Sequence, residues 1–201
     1  MKPLLLTKGG ALVIVAHPDD ETIWMGGTIL ANPNIKWTIF SLCRESDVDR
    51  SPKFKKVCAY YKARSLMSDI EDEGIMNVEK SIPFFSRELS KKLKNKHFSY
   101  LFTHAENGEY GHMRHKGVHY AIKKLLKKKL FAAECAMTFA YRGGKSGKYA
   151  IPRKNADFIS ALPQTIFNKK RRIVESLYGF SKNSFEYKSC NKKEMFNILT
   201  V

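Results

Sequence analysis

AHPDDE, residues 16–21, places one histidine and three carboxylates almost in succession. His17 and Asp20 can turn towards one point, and an imidazole beside a carboxylate suits Zn²⁺, which takes nitrogen and oxygen donors. Asp19 and Glu21 add two more carboxylates beside them. A second cluster, AENGEYGHMRHKGVH at 105–119, holds His112 and His115 three residues apart and His119 four further on. On a helix, His115 and His119 would share one face. Gly108 and Gly111 mark a tight, unusual backbone ahead of these histidines. His104, Glu109 and His119 can each orient a metal ligand or satisfy backbone groups.

Two apolar runs must position these clusters. Residues 11–16, ALVIVA, form a short run rich in β-branched residues, as expected of a strand buried on both faces of a parallel sheet. Pro18 stops it, having no N–H for a sheet ladder. The polar residues then emerge at the carboxyl end of a strand, where open α/β sheets place their sites. The same residues also suit a polar turn whose aspartates cap the next helix. Residues 99–104, SYLFTH, form a second strand followed directly by the second cluster. Neighbouring parallel strands bring two such ends together.

AHPDDE at 16–21 and GHxxH at 111–115 resemble the PIG-L or LmbE-like zinc deacetylases. These are Rossmann-like metalloenzymes that remove N-acetyl groups, commonly from N-acetylglucosamine conjugates. SLCRESDVDR at 41–50, THAENGEYGH at 103–112, and LYGF with SFE at 177–186 extend the resemblance over nearly the whole chain. One departure stands out. Many members carry Pro-Asp or Pro-Glu between the two histidines, where this chain has Met113 and Arg114, so the contact of that acidic residue is missing or supplied elsewhere.

With this resemblance, His17, Asp20 and His115 are expected to hold one Zn²⁺ per chain, leaving a fourth position open for water. The resemblance implies Asp19 as general base. His112 is expected to stabilise the oxyanion, most effectively as imidazolium, and Glu21 to support the ligands from behind. The implied reaction is zinc-assisted hydrolysis of an N-acyl amide in a small-molecule or glycoconjugate substrate, with N-acetylglucosaminyl conjugates foremost. The alternatives are an amidase acting on a thiol conjugate, and a non-catalytic, metal-containing protein that binds a sugar phosphate or glycan.

The rest of the chain sets the frame. Alternating strand and helix patterns over 201 residues predict one α/β domain, Rossmann-like, with a mostly parallel sheet flanked by helices. A net charge of +17 favours an anionic group on a substrate or a membrane surface, or simply makes a solvated lysine face. No nucleic-acid-binding motif accompanies it. Four cysteines without a CxxC pair argue against a cysteine zinc site and fit a reducing compartment. No signal peptide or spanning segment is visible, so a cytoplasmic location is expected.

Strands are predicted at 36–43 and 134–142, with an edge strand at 194–199. Helices are predicted at 22–31, 54–67, 87–97, 117–130 and 164–178. Gly26 and Gly27 would let the first helix pack close to the sheet. Arg44, at a strand end, can hold a substrate hydroxyl or phosphate, or make a surface salt bridge. Residues 68–79 read as a loop whose Asp69 and Asp72 can face the site, though a solvated loop suits its acidic, poorly periodic sequence better. In the helix at 117–130, lysines 123, 124, 127 and 128 face away from an apolar stripe that suits the core better than a membrane. Arg142 and Lys145, in the glycine-rich RGGKSGK, can touch a phosphate, though the spacing is not that of a P-loop.

Overall fold

Residues 11–16 are buried without exception, as an uninterrupted apolar run requires when both faces of its strand are covered. The computed structural model describes residues 1–145 and 147–201. In chain order come β1 (Lys2–Pro3), β2 (Gly10–Val15), α1 (Asp20–Ala31), β3 (Lys36–Cys43), α2 (Arg50–Tyr60), β4 (Arg64–Ile70), α3 (Val78–Leu93) and β5 (His97–Thr103). Next are the single turn α4 (Gly108–Gly111), α5 (Met113–Lys127), β6 (Ala132–Phe139), and the hairpin strands β7 (Tyr141–Gly143) and β8 (Ala150–Pro152). The chain continues through β9 (Phe158–Ala161), α6 (Gln164–Arg172), a π-helical turn (Ile173–Leu177), α7 (Phe185–Ser189) and β10 (Lys193–Ile198).

Among the described residues, eight strands form one sheet in the order β1-β9-β10-β6-β5-β2-β3-β4. The run from β6 to β4 is parallel, while β10 is antiparallel to both β6 and β9. This is the α/β, Rossmann-like architecture expected from the sequence. Alternate residues of β2 serve opposite faces. Ala11, Val13 and Val15 pack with Ile23 and Trp24 of α1 and Phe54 and Val57 of α2. Leu12 and Ile14 pack with Phe85 and Leu89 of α3 and Val118 and Ile122 of α5. The apolar stripe of α5 is thus core, as expected. Among the described residues no helix is long and apolar enough to cross a membrane.

Several expectations need correction. The predicted helix at 54–67 is α2 followed by a strand: Lys62, at φ 55°, turns the chain, and Leu66 and Met67 belong to β4. The helix predicted at 87–97 begins at Val78, where Asn77 accepts the Lys80 N–H as its cap. Residues 193–198 are not an edge strand but lie between β6 and β9. Gly26 and Gly27 make room for neighbours other than the sheet. A Cβ on Gly27 would lie 2.1 Å from Leu162, and one on Gly26 would lie 2.7 Å from the Tyr61 hydroxyl. Arg142 donates to the Gly143 carbonyl (3.4 Å); Ser146 of the RGGKSGK stretch lies outside the described residues.

The basic run at 169–172 is not all surface, because Lys170 is fully buried. Its Nζ donates to Glu194 Oε1 at 2.7 Å. The equally buried Glu194 also accepts the amides of Gly27 (2.9 Å) and Thr28 (2.7 Å) and the Thr28 hydroxyl (2.6 Å). Removing one member of such a pair leaves a buried charge without its partner. Lys170→Met is therefore expected to lower the unfolding free energy by about 3–5 kcal/mol, measured by urea denaturation.

Candidate metal centre

The centre follows from strand order. From β2 the chain proceeds outward through β3 and β4, then returns to β5 on the other side of β2. The crevice at such a switch point, outside the strands' carboxyl ends, is where open α/β sheets bind ligands. Ile14 lies opposite Thr103, so the residues leaving β2 and those leaving β5 emerge side by side. Thus His17, Asp19 and Asp20 meet His104, Glu109, His112 and His115.

Two local backbones are unusual. Asp19, at φ 121°, makes the turn into α1, and Glu109 has φ 57° and ψ −64°. Gly108 and Gly111, with φ of 62° and 106°, flank Glu109. Strain at non-glycine residues persists where surrounding contacts fix the conformation. Glu109 has such contacts: Oε1 accepts the Ala105 N–H (2.8 Å), and Oε2 contacts Nδ1 of His104 (2.8 Å) and of His115 (2.6 Å).

Three side-chain atoms converge from the two strand ends. His17 Nδ1 lies 3.1 Å from Asp20 Oδ2. His115 Nε2 lies 3.3 Å from the same oxygen and 3.4 Å from His17 Nδ1. Donors placed 2.0–2.2 Å from a tetrahedral metal would be about 3.3–3.6 Å apart. The triangle therefore has the size of three vertices of such a site, and two nitrogens with one oxygen suit a divalent transition metal. Overlapping sets of donors lie close enough to share an ion among the described residues: Asp20 with His104 and His115, His17 with His112 and His115, and His17 with Cys43 and Asp72. His112 lies close by, with ring centroids 4.8 Å from His17 and 4.5 Å from His115.

Each donor is aimed by a second contact. His17 Nε2 bonds Asp72 Oδ1 (2.8 Å), turning Nδ1 to the centre. Glu109 does the same for His115 by holding Nδ1. Trp24 Nε1–H donates to Asp20 Oδ1 (2.8 Å), and the His17 amide donates to Asp20 Oδ2 (3.0 Å). Such outer contacts fix tautomer and ring orientation. Glu109 is thus the acidic contact of His115. His104 stacks on His115 at 3.8 Å and accepts the Ala16 N–H at Nε2 (3.0 Å). His119 donates to the His104 carbonyl (3.0 Å), so it satisfies backbone.

The Nε and Nη2 fork of Arg44 is occupied by Asp72 Oδ2 (2.9 and 2.7 Å), and Nη1 by Asp47 (3.2 Å). It thus makes the salt bridge that is one of its two expected roles, and it also lines the cavity over the centre. Glu21 touches none of the three converging atoms. It accepts the Asp19 N–H (3.1 Å) and the Tyr178 hydroxyl (2.7 Å), holding the turn from beneath. Asp69 accepts the Ser46 N–H. Asp72, read from sequence as solvated loop, faces the centre because β4 ends at Ile70 and delivers it there. Arg50, at the start of α2, was not foreseen; its Nη1 donates to Asp19 Oδ2 at 2.9 Å.

Charge follows geometry. Burial raises the Glu109 pKa, but His104 and His115 outweigh it and hold it at about 2. Burial alone would lower His17, yet hydrogen bonds to Asp20 and Asp72 raise it to about 9. Burial, with His115 and His17 beside it, lowers His112 to about 3. His112 is thus a neutral ring, not the imidazolium expected. Its Nδ1 accepts the Arg114 N–H (3.3 Å), so Nε2 carries the proton and is a donor. Burial and Asp20 raise the Asp19 pKa, with Arg50 opposing them.

A cavity of about 180 Å³ opens over these residues, lined by Asp19, His112, Trp24, Tyr110 and Phe185 among others. It is smaller than the ~300 Å³ of common ligand pockets, so it encloses only part of a larger ligand.

No family model matches the chain. An uncharacterized protein, L374, of Acanthamoeba polyphaga mimivirus is 23% identical over 185 residues, which cover 84% of this chain and 78% of that protein. Among solved structures, GalB, the 4-carboxy-2-hydroxymuconate hydratase of Pseudomonas putida KT2440, has a TM-score of 0.67 at 13% identity, covering 97% of each chain. The N,N'-diacetylchitobiose deacetylase of Pyrococcus horikoshii has a TM-score of 0.61 at 12% identity, covering 94% of this chain and 83% of that one. The fold that the sequence motifs resemble is therefore the fold of this chain. A hydratase and a deacetylase share it, so the reaction must be argued from the site.

A His17 pKa raised to about 9 favours the protonated ring at neutral pH, and a metal ion held through its Nδ1 would displace that proton. Metal uptake is expected to release protons, and affinity to rise as pH climbs towards about 9. Calorimetry in buffers of different ionisation enthalpy measures the proton count.

Proposed function

We propose that this chain is a Zn²⁺-dependent amide hydrolase that removes an acetyl group from an N-acetylglucosamine-type conjugate. One observation carries the reading. Asp19 and His112 border the same cavity as His17 and Asp20, two of the three converging donors, yet neither is one of those three. A protein that only binds a glycan around a metal has no need of a further carboxylate and an N–H donor there.

His17, Asp20 and His115 would hold the ion. When bound, zinc lowers the pKa of water and polarises a carbonyl. Asp19 accepts the proton of the attacking water and returns it to the departing amine. Arg50 pairs with Asp19 and opposes the burial and the Asp20 charge, which still hold its pKa well above the usual carboxylate range in the absence of a metal ion. His112 Nε2–H donates to the oxyanion as the carbonyl becomes tetrahedral, and as a neutral donor it needs no protonation beside a cation. Tyr110 and Phe185, with ring centroids 4.5 Å apart, form an aromatic edge of the cavity, suited to the apolar face of a sugar ring. The partly enclosing cavity leaves the rest of the conjugate in solvent.

Asp19→Asn is expected to retain the metal and to lower turnover by about 10²–10⁴-fold. The measurements are metal content and acetate release from N-acetylglucosamine conjugates. Acetate release at the wild-type rate from Asp19→Asn would assign the base elsewhere. Hydration of a carbon–carbon double bond without acetate release would favour the chemistry named for the hydratase instead.

A further inference from the structure

Met113 and Arg114 stand where many members of the resembling family carry a proline and an acid, and Arg114 has an unusual position for its type. It is 2% exposed. Its Nη2 donates to Glu71 Oε2 (2.5 Å) and its Nη1 to the Met76 carbonyl (2.7 Å). Glu71 in turn closes its own loop, accepting the amides of Ile75 (3.1 Å) and Met76 (3.2 Å). The next residue in that loop is Asp72, whose Oδ1 holds His17 Nε2. On the other side, the Arg114 N–H fixes His112 Nδ1, and His115 is its chain neighbour.

We infer that Arg114 is a positioning residue that sets the metal affinity of the centre through Glu71 and Asp72. The inference rests on the proposed metal reading of His17, Asp20 and His115. His17 comes from the end of β2 and His115 from α5, with no covalent tie to fix their separation. The guanidinium on α5 grips the loop that aims His17, so the helix carrying one donor sets the orientation of the other. Glu109 ties His115 to the β5 end, and Arg114 ties the same helix to the β4 end. Arg114 thus makes up for the absent acid in a different way: it braces the histidine from β2, while Glu109 serves the histidine beside it.

A buried guanidinium also stabilises the fold, so stability alone cannot test this role. The test uses full-length metal-free protein, with Zn²⁺ affinity from chelator competition and the ligand-field spectrum after Co²⁺ loading. Arg114→Met is expected to weaken Zn²⁺ binding about 10–100-fold and to change the Co²⁺ spectrum, the range usual for contacts behind a ligand. Asp72→Asn should do likewise. The double variant should be little weaker than either single one, because both act on the same His17 contact. Glu71→Gln, which removes the charge with little change of volume, gives the answer if Arg114→Met does not fold. Leu125→Ala, in the apolar stripe of the same helix, should lower Tm without moving the affinity. If Arg114→Met and Glu71→Gln fold but bind Zn²⁺ within about twofold of wild type, the role is structural only and the inference fails, while the metal reading stands. Fully additive losses in the double variant would also overturn it. No Zn²⁺ binding by the wild-type protein would overturn both.

Discussion

The centre depends on one buried carboxylate. Glu109 is inaccessible to solvent, and an ionised carboxylate there is tolerable only when its lone pairs are used. They are used by the amide of Ala105 and by two stacked imidazoles. That arrangement has consequences in two directions. It commits His115 Nδ1, leaving Nε2 for the centre. It also commits His104 Nδ1, so that Nε2 accepts the amide of Ala16, the residue just before His17. A single side chain thereby ties the end of β5 to the end of β2. The left-handed backbone at Glu109 is the cost of aiming it inward, of order 1–3 kcal/mol for such strain.

Around this anchor the charges are sorted. Asp19 has Arg50, Asp72 has Arg44, and Glu71 has Arg114. Asp20 differs: its partners are the indole N–H of Trp24, the His17 amide and imidazole nitrogens. The guanidinium groups neutralise the surrounding acids. The negative charge of Asp20, which His115 and His104 hold ionised, is left directed at the point where the three donors converge. A cation there meets one carboxylate and two imidazoles, while the acids behind them keep the imidazoles aligned.

The sequence made the two strand-end clusters legible because apolar runs that stop abruptly at polar residues mark buried parallel strands. His17, Asp20, His112 and His115 could be found that way. Asp72 and Arg50 could not, and the reason is shared. Leu66 and Met67 fit a helical stripe as well as a strand, so β4 was absorbed into a helix that also began too late. Without β4, Asp72 was not at a strand end; without the true start of α2, Arg50 was not beside the first motif. Glu109 carried a local signal, an acid enclosed by two glycines with left-handed backbones. Which imidazoles it would reach depended on the pairing of β5 with β2. The burial of Lys170 was hidden for a similar reason: its partner, Glu194, lies on a strand that read as an edge and is in fact interior.

That interior strand has a bearing on how the chain is made. Every donor and every brace of the centre is encoded by residue 115, whereas the helix that begins at Asp20 is completed by residues far downstream. Tyr178 reaches Glu21, Leu162 fills the space beside Gly27, and Glu194 takes the amides of Gly27 and Thr28. At roughly 5–20 residues per second of translation, the ribosome takes on the order of ten seconds to pass from the last donor to Glu194. For that interval the nascent chain already carries all three converging donors, while the helix that supplies one of them, Asp20, has inner amides that have not yet met their carboxylate.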